Sequence, residues 1–497
     1  MTATPRILAI DQGTTSTRAV IFDAHGTPLS VSQKPLRQIY PQDGWVEHHP
    51  EEIWSAVVEV CRNVIEKSGG ARGIAAVGIT NQRETALIWE RDTGKPLTNA
   101  IVWQDRRGAE RCAELRANGY EDKIQLKTGL LLDSYFSATK LEWILNNVEG
   151  AYAAARGGNL AFGTIDSFLI WRLTQGQVHA TDATNASRTM LFDIHNCIWD
   201  EELLDLFRVP RELLPNVLDT SGDFGSTSKE IFGVEIPIRG AVGDQQGALV
   251  GQACFEPGMI KSTYGTGCFV LANTGHKAVT SKNKLLTTIA YRLGGETTFA
   301  VEGSIFNAGT VVQWLRDNVN MIQSAADSET LAKSLDGTTD AGKVFLVPAF
   351  TGLGAPYWDP MARGAIFGLT RDSSIAQVVR AGLESVAYQT FDLLTALIQD
   401  GVTPPPALRV DGGMVENDWL VQFIADVCGI PVERPANIET TVLGAAYLAG
   451  LGSGLFSSLS DIEAAWRLEF RATPEMANNV RSDLINRWLD AVRRTRS

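Results

Sequence analysis

Two short Gly/Thr turns, each set between apolar runs and half a chain apart, constrain this sequence most. In the first, Ile7-Leu8-Ala9-Ile10 leads into Asp11-Gln12-Gly13-Thr14-Thr15-Ser16-Thr17-Arg18, and Ala19-Val20-Ile21-Phe22 follows. That is strand, tight polar turn, strand. Gly13 lets backbone approach a ligand, and adjacent N–H groups and hydroxyls can surround a phosphate. Asp11 can hold a cation, and Arg18 can offset oxyanion charge. In the second, Met259–Tyr264 reads as a strand, Gly265-Thr266-Gly267 as a turn, and Cys268-Phe269-Val270-Leu271-Ala272 as the return. Either turn alone is also an ordinary hairpin. Their recurrence points to a duplicated α/β unit with a boundary near 245–258, hence domains 1–252 and 253–497.

The length of 497 residues exceeds one ordinary core. A net charge of −13 with no Lys/Arg block argues against a nucleic-acid partner and leaves small anionic substrates open. The six cysteines include no C-x-x-C pair and read as reduced core residues. The six histidines lack H-E-x-x-H spacing, and the adjacent His48-His49 do not suggest a metal site. No apolar run approaches the roughly 20 residues of a spanning helix. Met1–Arg6 lacks a secretory apolar region, so a cytoplasmic location is expected.

Polar groups cluster just past apolar strands, where open α/β sheets bind ligands. Residues 50–67 have helical spacing, and Ile74–Ile79 reads as a strand running into Thr80-Asn81-Gln82-Arg83-Glu84. Trp103-Gln104-Asp105-Arg106-Arg107 has the same character. In Gly243-Asp244-Gln245-Gln246-Gly247, Asp244 is a general-base candidate or a helix cap. Val410-Asp411-Gly412-Gly413 ends a strand, and Asn417 opens a helix. The last forty residues, with Trp466, Leu468, Phe470, Leu484 and Trp488, read as terminal helices. Two phosphate turns, one carboxylate base and a third Gly-rich strand end are the parts phosphoryl transfer needs. No G-x-x-x-x-G-K-[ST], G-x-G-x-x-G or protein-kinase set is present.

The chain resembles the FGGY carbohydrate kinases of the actin-like ATPase superfamily over almost its full length. The likeness runs through Asp11–Arg18, Ile79–Thr85, Ala100–Gln104, Tyr135–Lys140, Asn185–Met190, Gly243–Gln246, Tyr264–Phe269, Pro348–Trp358 and Arg363–Thr370. It implies an α/β fold of two actin-like (ribonuclease H-like) domains, with mixed sheets, flanking helices and a cleft between them. It also implies ATP-dependent phosphorylation of glycerol to sn-glycerol 3-phosphate, with another polyol or a ketopentose as the alternative. By the same likeness Asp11 would engage Mg²⁺. Thr14, Thr15, Ser16 and Arg18 would meet phosphates, with Arg18 near the transferred group. Arg83, Glu84, Trp103, Tyr135, Asp244, Gln245 and Phe269 would bind glycerol, Asp244 acting as base. Thr266 and Gly309 would lie at the phosphates, and Gln313, Gly413 and Asn417 near the nucleotide. A homo-oligomer, dimer or tetramer, is implied as well.

Departures from the family bear on regulation. Some bacterial members bind fructose 1,6-bisphosphate on a Gly-rich loop ending in arginine. Here Lys229-Glu230-Ile231-Phe232-Gly233-Val234-Glu235 lacks those glycines and ends in a carboxylate, which would repel a bisphosphate. No histidine occurs in 196–275, which argues against the histidine-phosphorylation control of some relatives. Ser134 and Ala138 replace a proline and a glycine common beside the substrate tyrosine.

Overall fold

The computed structural model describes residues 5–335 and 343–496; residues 1–4 of the N-terminal segment lie outside it. The opening apolar run forms the strand Arg6–Gln12, which pairs antiparallel with Ser16–Phe22. Both are buried because the sheet is covered on its two faces. The helix Pro50–Lys67 packs one face, burying Ile53, Val57, Val60, Cys61 and Val64. Pro50 suits its first turn, where the missing N–H costs nothing. The opposite face is covered by the helix Thr440–Gly452, which comes from far along the chain.

The first sheet has five strands, in the spatial order Ile238–Gly243, Ile74–Asn81, Arg6–Gln12, Ser16–Phe22, Pro28–Pro35. The three strands named last form an antiparallel meander, and the other two run parallel to Arg6–Gln12. The second sheet has seven strands. Its central five repeat that order and those directions with Val432–Pro435, Leu408–Asp411, Ile260–Tyr264, Cys268–Gly275 and Glu296–Ile305. Each Gly/Thr turn therefore joins strands one and two of its unit, and the duplication inferred from pattern is present in the topology. Two further strands, Leu286–Leu293 and Leu468–Ala472, extend the edges. The second corrects the expectation of terminal helices only: Leu468 and Phe470 lie on an edge strand, while Asn478–Thr495 is the helix that buries Leu484 and Trp488.

The strands of the five-stranded sheet all precede residue 252, and those of the seven-stranded sheet all follow it. The helices Asp244–Gly251 and Thr440–Gly452 cross between the halves. Their crossing is close enough that a Cβ on Gly444 would lie 1.8 Å from the Gly247 carbonyl oxygen.

Candidate active site

The site collects at the C-terminal ends of the strands. In the first turn, Gly13 N–H donates to the Ser16 carbonyl at 2.9 Å, closing a loop that carries Thr14 and exposed Thr15. In the second, Gly265 N–H donates to the Gly267 carbonyl at the same 2.9 Å. Thr266 is exposed, and its carbonyl accepts from the N–H groups of Ala308 and Thr310. Gly309 donates to the Gly265 carbonyl, and a Cβ there would come within 2.5 Å of that oxygen. Only glycine allows this approach without moving the turn.

Asp11 and Arg18 face each other in register across the hairpin. Burial pushes the Asp11 carboxyl up to about 7; Arg18 opposes that shift, and Asp244 and Glu439 add to it. Arg18 forms an ion pair with Glu439, from the second half, and donates to Gln33 Oε1 at 3.2 Å. Ser16 Oγ accepts from Gln33 at 2.8 Å. Trp103 Nε1 donates to Thr14 Oγ1 at 2.9 Å, and the indole meets Tyr135 edge to face at 5.4 Å. One turn thus connects to both the charged Arg18 side and the aromatic groups.

Arg83 and Glu84 follow the strand Ile74–Asn81, with Glu84 at φ 59°, a conformation unfavourable for a side-chain-bearing residue. They do not pair with each other. Arg83 Nε lies 3.0 Å from Asp244 Oδ1, and its Nη1 and Nη2 reach Glu302 at 2.5 and 3.2 Å. Glu84 Oε1 accepts from Arg188 Nε at 2.7 Å. Asp244 begins the helix Asp244–Gly251, and its Oδ1 also accepts from the Gln245 N–H at 2.7 Å. Burial raises the Asp244 carboxyl above its ordinary value, against the pull of Arg83 and that N–H. The Phe269 ring lies 5.9 Å from the Arg83 guanidinium.

Gln245 Oε1 accepts from Lys261 Nζ at 2.6 Å, joining the two halves again. Gln313 and Gly413 are exposed, and a Cβ on Gly413 would point into open space. Asn417 caps the helix Asp418–Cys428 by accepting from the Leu420 N–H at 2.9 Å. Gln313, Gly413 and Asn417 share no hydrogen bond with the Arg83 group among the described residues. Sequence reasoning assigned no role to Glu302, Arg188, Lys261 or Glu439. A signal was present for two of them: Glu302 interrupts the apolar run Phe299-Ala300-Val301, and Lys261 follows Ile260 in a strand that is buried.

Residues 6–251 match the N-terminal domain, and residues 260–453 the C-terminal domain, of the FGGY family of carbohydrate kinases. The chain belongs to that family. This FGGY chain is 60% identical to the glycerol kinase of Ectopseudomonas mendocina (strain ymp) over 99% of both chains. It is 58% identical to glycerol kinase 1 of Pseudomonas aeruginosa, again over 99% of each. Its structure is similar to that of Plasmodium falciparum glycerol kinase with ADP, with a TM-score of 0.92, 38% identity, and coverage of 99% of this chain and 98% of that one. A gluconate kinase from Lactobacillus acidophilus, at 23% identity and TM-score 0.88, shares the FGGY fold.

Proposed function

We infer that this chain is an ATP-dependent kinase that phosphorylates glycerol. The observation that carries the reading is 60% identity over 99% of both chains to a glycerol kinase. The site agrees with it. Glycerol offers three hydroxyls and little apolar surface, so selectivity must come from buried charged hydrogen-bonding groups. Arg83 and Glu84 are such groups, Gln245 adds a neutral amide, and all three are buried. Trp103, Tyr135 and Phe269 supply ring surface for the carbon chain beside them.

Asp244 is the general base in this reading. Its ion pair with Arg83 and its hydrogen bond from the Gln245 N–H both fall on Oδ1, and no described residue bonds Oδ2. Oδ2 would take the proton as a terminal hydroxyl attacks the γ-phosphorus in line. Thr14, Thr15 and Ser16 on one turn, with Thr266 and Gly309 on the other, would hold the phosphates. Arg18 would stabilise charge on the transferred group. Gln313, Gly413 and Asn417 would border the nucleotide. Closure of the two halves, divided near 252, would exclude water from the transfer.

The residues fit Mg²⁺. Asp11, Thr14 and Ser16 present hard oxygen donors, and no described cluster of three acidic, His or Cys residues forms an all-protein cage. Mg²⁺ is commonly held by one or two carboxylates plus substrate phosphates. Asp11 would be its protein anchor, and the ion would neutralise phosphate charge. No described helix is long and apolar enough to cross a membrane. A cytoplasmic homo-oligomer, dimer or tetramer, is the setting that the family likeness favours.

The test is ADP release with ATP and Mg²⁺ over a panel of glycerol, other polyols and ketopentoses. Glycerol is expected to give the highest kcat/KM. Preference for a ketopentose would overturn the assignment.

A further inference from the structure

The charges around Arg83 form one connected set spanning both halves. Its centre is Glu302, on the second-sheet strand Glu296–Ile305 and only 1% exposed. Its carboxylate accepts from Arg83 Nη1 at 2.5 Å, Arg83 Nη2 at 3.2 Å and Arg188 Nη2 at 2.9 Å. Burial alone would raise its pKa; Arg188 and Arg83 outweigh burial and hold it down to about 2. Glu302 is therefore ionised throughout the working range.

With both Nη groups of Arg83 and the Nη2 of Arg188 bonded to Glu302, the two arginines turn their Nε atoms to different acids. Arg83 Nε meets Asp244, and Arg188 Nε meets Glu84. Glu302 grips two nitrogens of Arg83, which fixes the plane of that guanidinium as well as its position, and Arg188 is held between Glu302 at Nη2 and Glu84 at Nε. Glu302 thus orients the two acids proposed to meet substrate hydroxyls, although it contacts neither. Arg188 is fully buried, and its Nη1 has no hydrogen-bond partner among the described residues. Phe136 and Tyr135 flank it, their ring centroids 5.4 and 5.8 Å from its Cζ.

We propose that Glu302 is the positioning residue for polyol recognition: it sets the plane of Arg83 and anchors one end of Arg188, and through them positions Asp244 and Glu84. Because it comes from the second half, the polyol site is a joint product of both halves. This rests on the glycerol-kinase reading above.

The experiment compares wild type, Glu302→Gln and Glu302→Asp. It measures kcat and KM for glycerol, KM for ATP, and the preference for glycerol over propane-1,2-diol. Glu302→Gln removes the charge but keeps the shape. Glu302→Asp keeps the charge and withdraws it from both guanidinium groups, so it stands in if the Gln variant fails to fold. The expected result is a rise in glycerol KM on the order of 10-fold or more, because buried partners lose their geometry. ATP KM should stay within roughly 2-fold, and the preference for glycerol should narrow, since discrimination depends on those oriented groups. A purely structural role would lower stability without changing that preference. Folded variants with unchanged glycerol KM and preference, in a chain whose wild type does phosphorylate glycerol, overturn this proposal alone. A wild type inactive on glycerol overturns the functional reading, and this proposal with it.

Discussion

Arg18 and Asp244 act on the Asp11 carboxylate with opposite sign, the first favouring its charge and the second opposing it. Asp244 already holds an ion pair with Arg83 and a hydrogen bond from the Gln245 N–H on one oxygen, which orients it without protonating it. As general base it must be ionised. Burial places its pKa above the ordinary carboxylate value, so activity should fall as pH drops through that raised value. The acid limb of the kcat/KM profile should therefore lie above that of a free aspartate. Asp244→Asn should lose about 10²–10⁴ in kcat while ATP binding persists; near-normal turnover would remove the base assignment. Arg18 is held by Glu439 and Gln33, so it is preplaced at the mouth of the first turn. Arg18→Ala should lower kcat more than it raises KM for ATP. A change confined to KM would mean that Arg18 binds the ground state only.

At the level of elements, the crossing of Asp244–Gly251 with Thr440–Gly452 governs where Asp244, the proposed base, stands. Gly251 is as tight as Gly444, its Cβ position lying 2.0 Å from the Thr440 carbonyl oxygen. Backbone oxygens cannot rotate away as a side chain can. Gly444→Ala should force the helices apart and cost about 1–3 kcal/mol or more in stability, as overpacking does. Because Asp244 is the first residue of the displaced helix, kcat should fall as well. Denaturant unfolding and a steady-state assay on the same variant test both effects. The elements themselves were largely legible. Apolar spacing over 50–67 marked the helix Pro50–Lys67, and the two apolar-turn-apolar patterns marked both hairpins. The strand Leu468–Ala472 was not legible, because an edge strand is half exposed and its alternation is weak.

Across the whole molecule, the two halves meet through charge as well as packing. Arg83 with Glu302, Gln245 with Lys261, and Arg18 with Glu439 each join a residue of the first half to one of the second. Ligands that bind between the halves stabilise only the joined, folded chain. ATP with Mg²⁺ and glycerol should therefore raise the melting temperature, corresponding to about 2.7 kcal/mol for a ligand at 100 times its Kd. Glycerol analogues without hydroxyls at the matching carbons should give less. Differential scanning calorimetry at fixed protein concentration measures this, and equal shifts from glycerol and propane-1,2-diol would contradict the site.

Sequence by itself determined the turns, the strand ends and the residue types that face them. These are local matters of spacing, glycine freedom and alternation, and they also carried the family likeness. The pairing of charges was decided only by tertiary structure. Arg83 and Glu84 are neighbours in sequence, yet Arg83 turns to Glu302 and Asp244 while Glu84 turns to Arg188. Glu302 lies 219 residues from Arg83, and no local pattern reports such a distance. Their meeting depends on two sheets of like topology joined through a packed helix from each half. In that buried setting an unpaired charge is costly, so the fold, rather than the order of residues, chooses each partner.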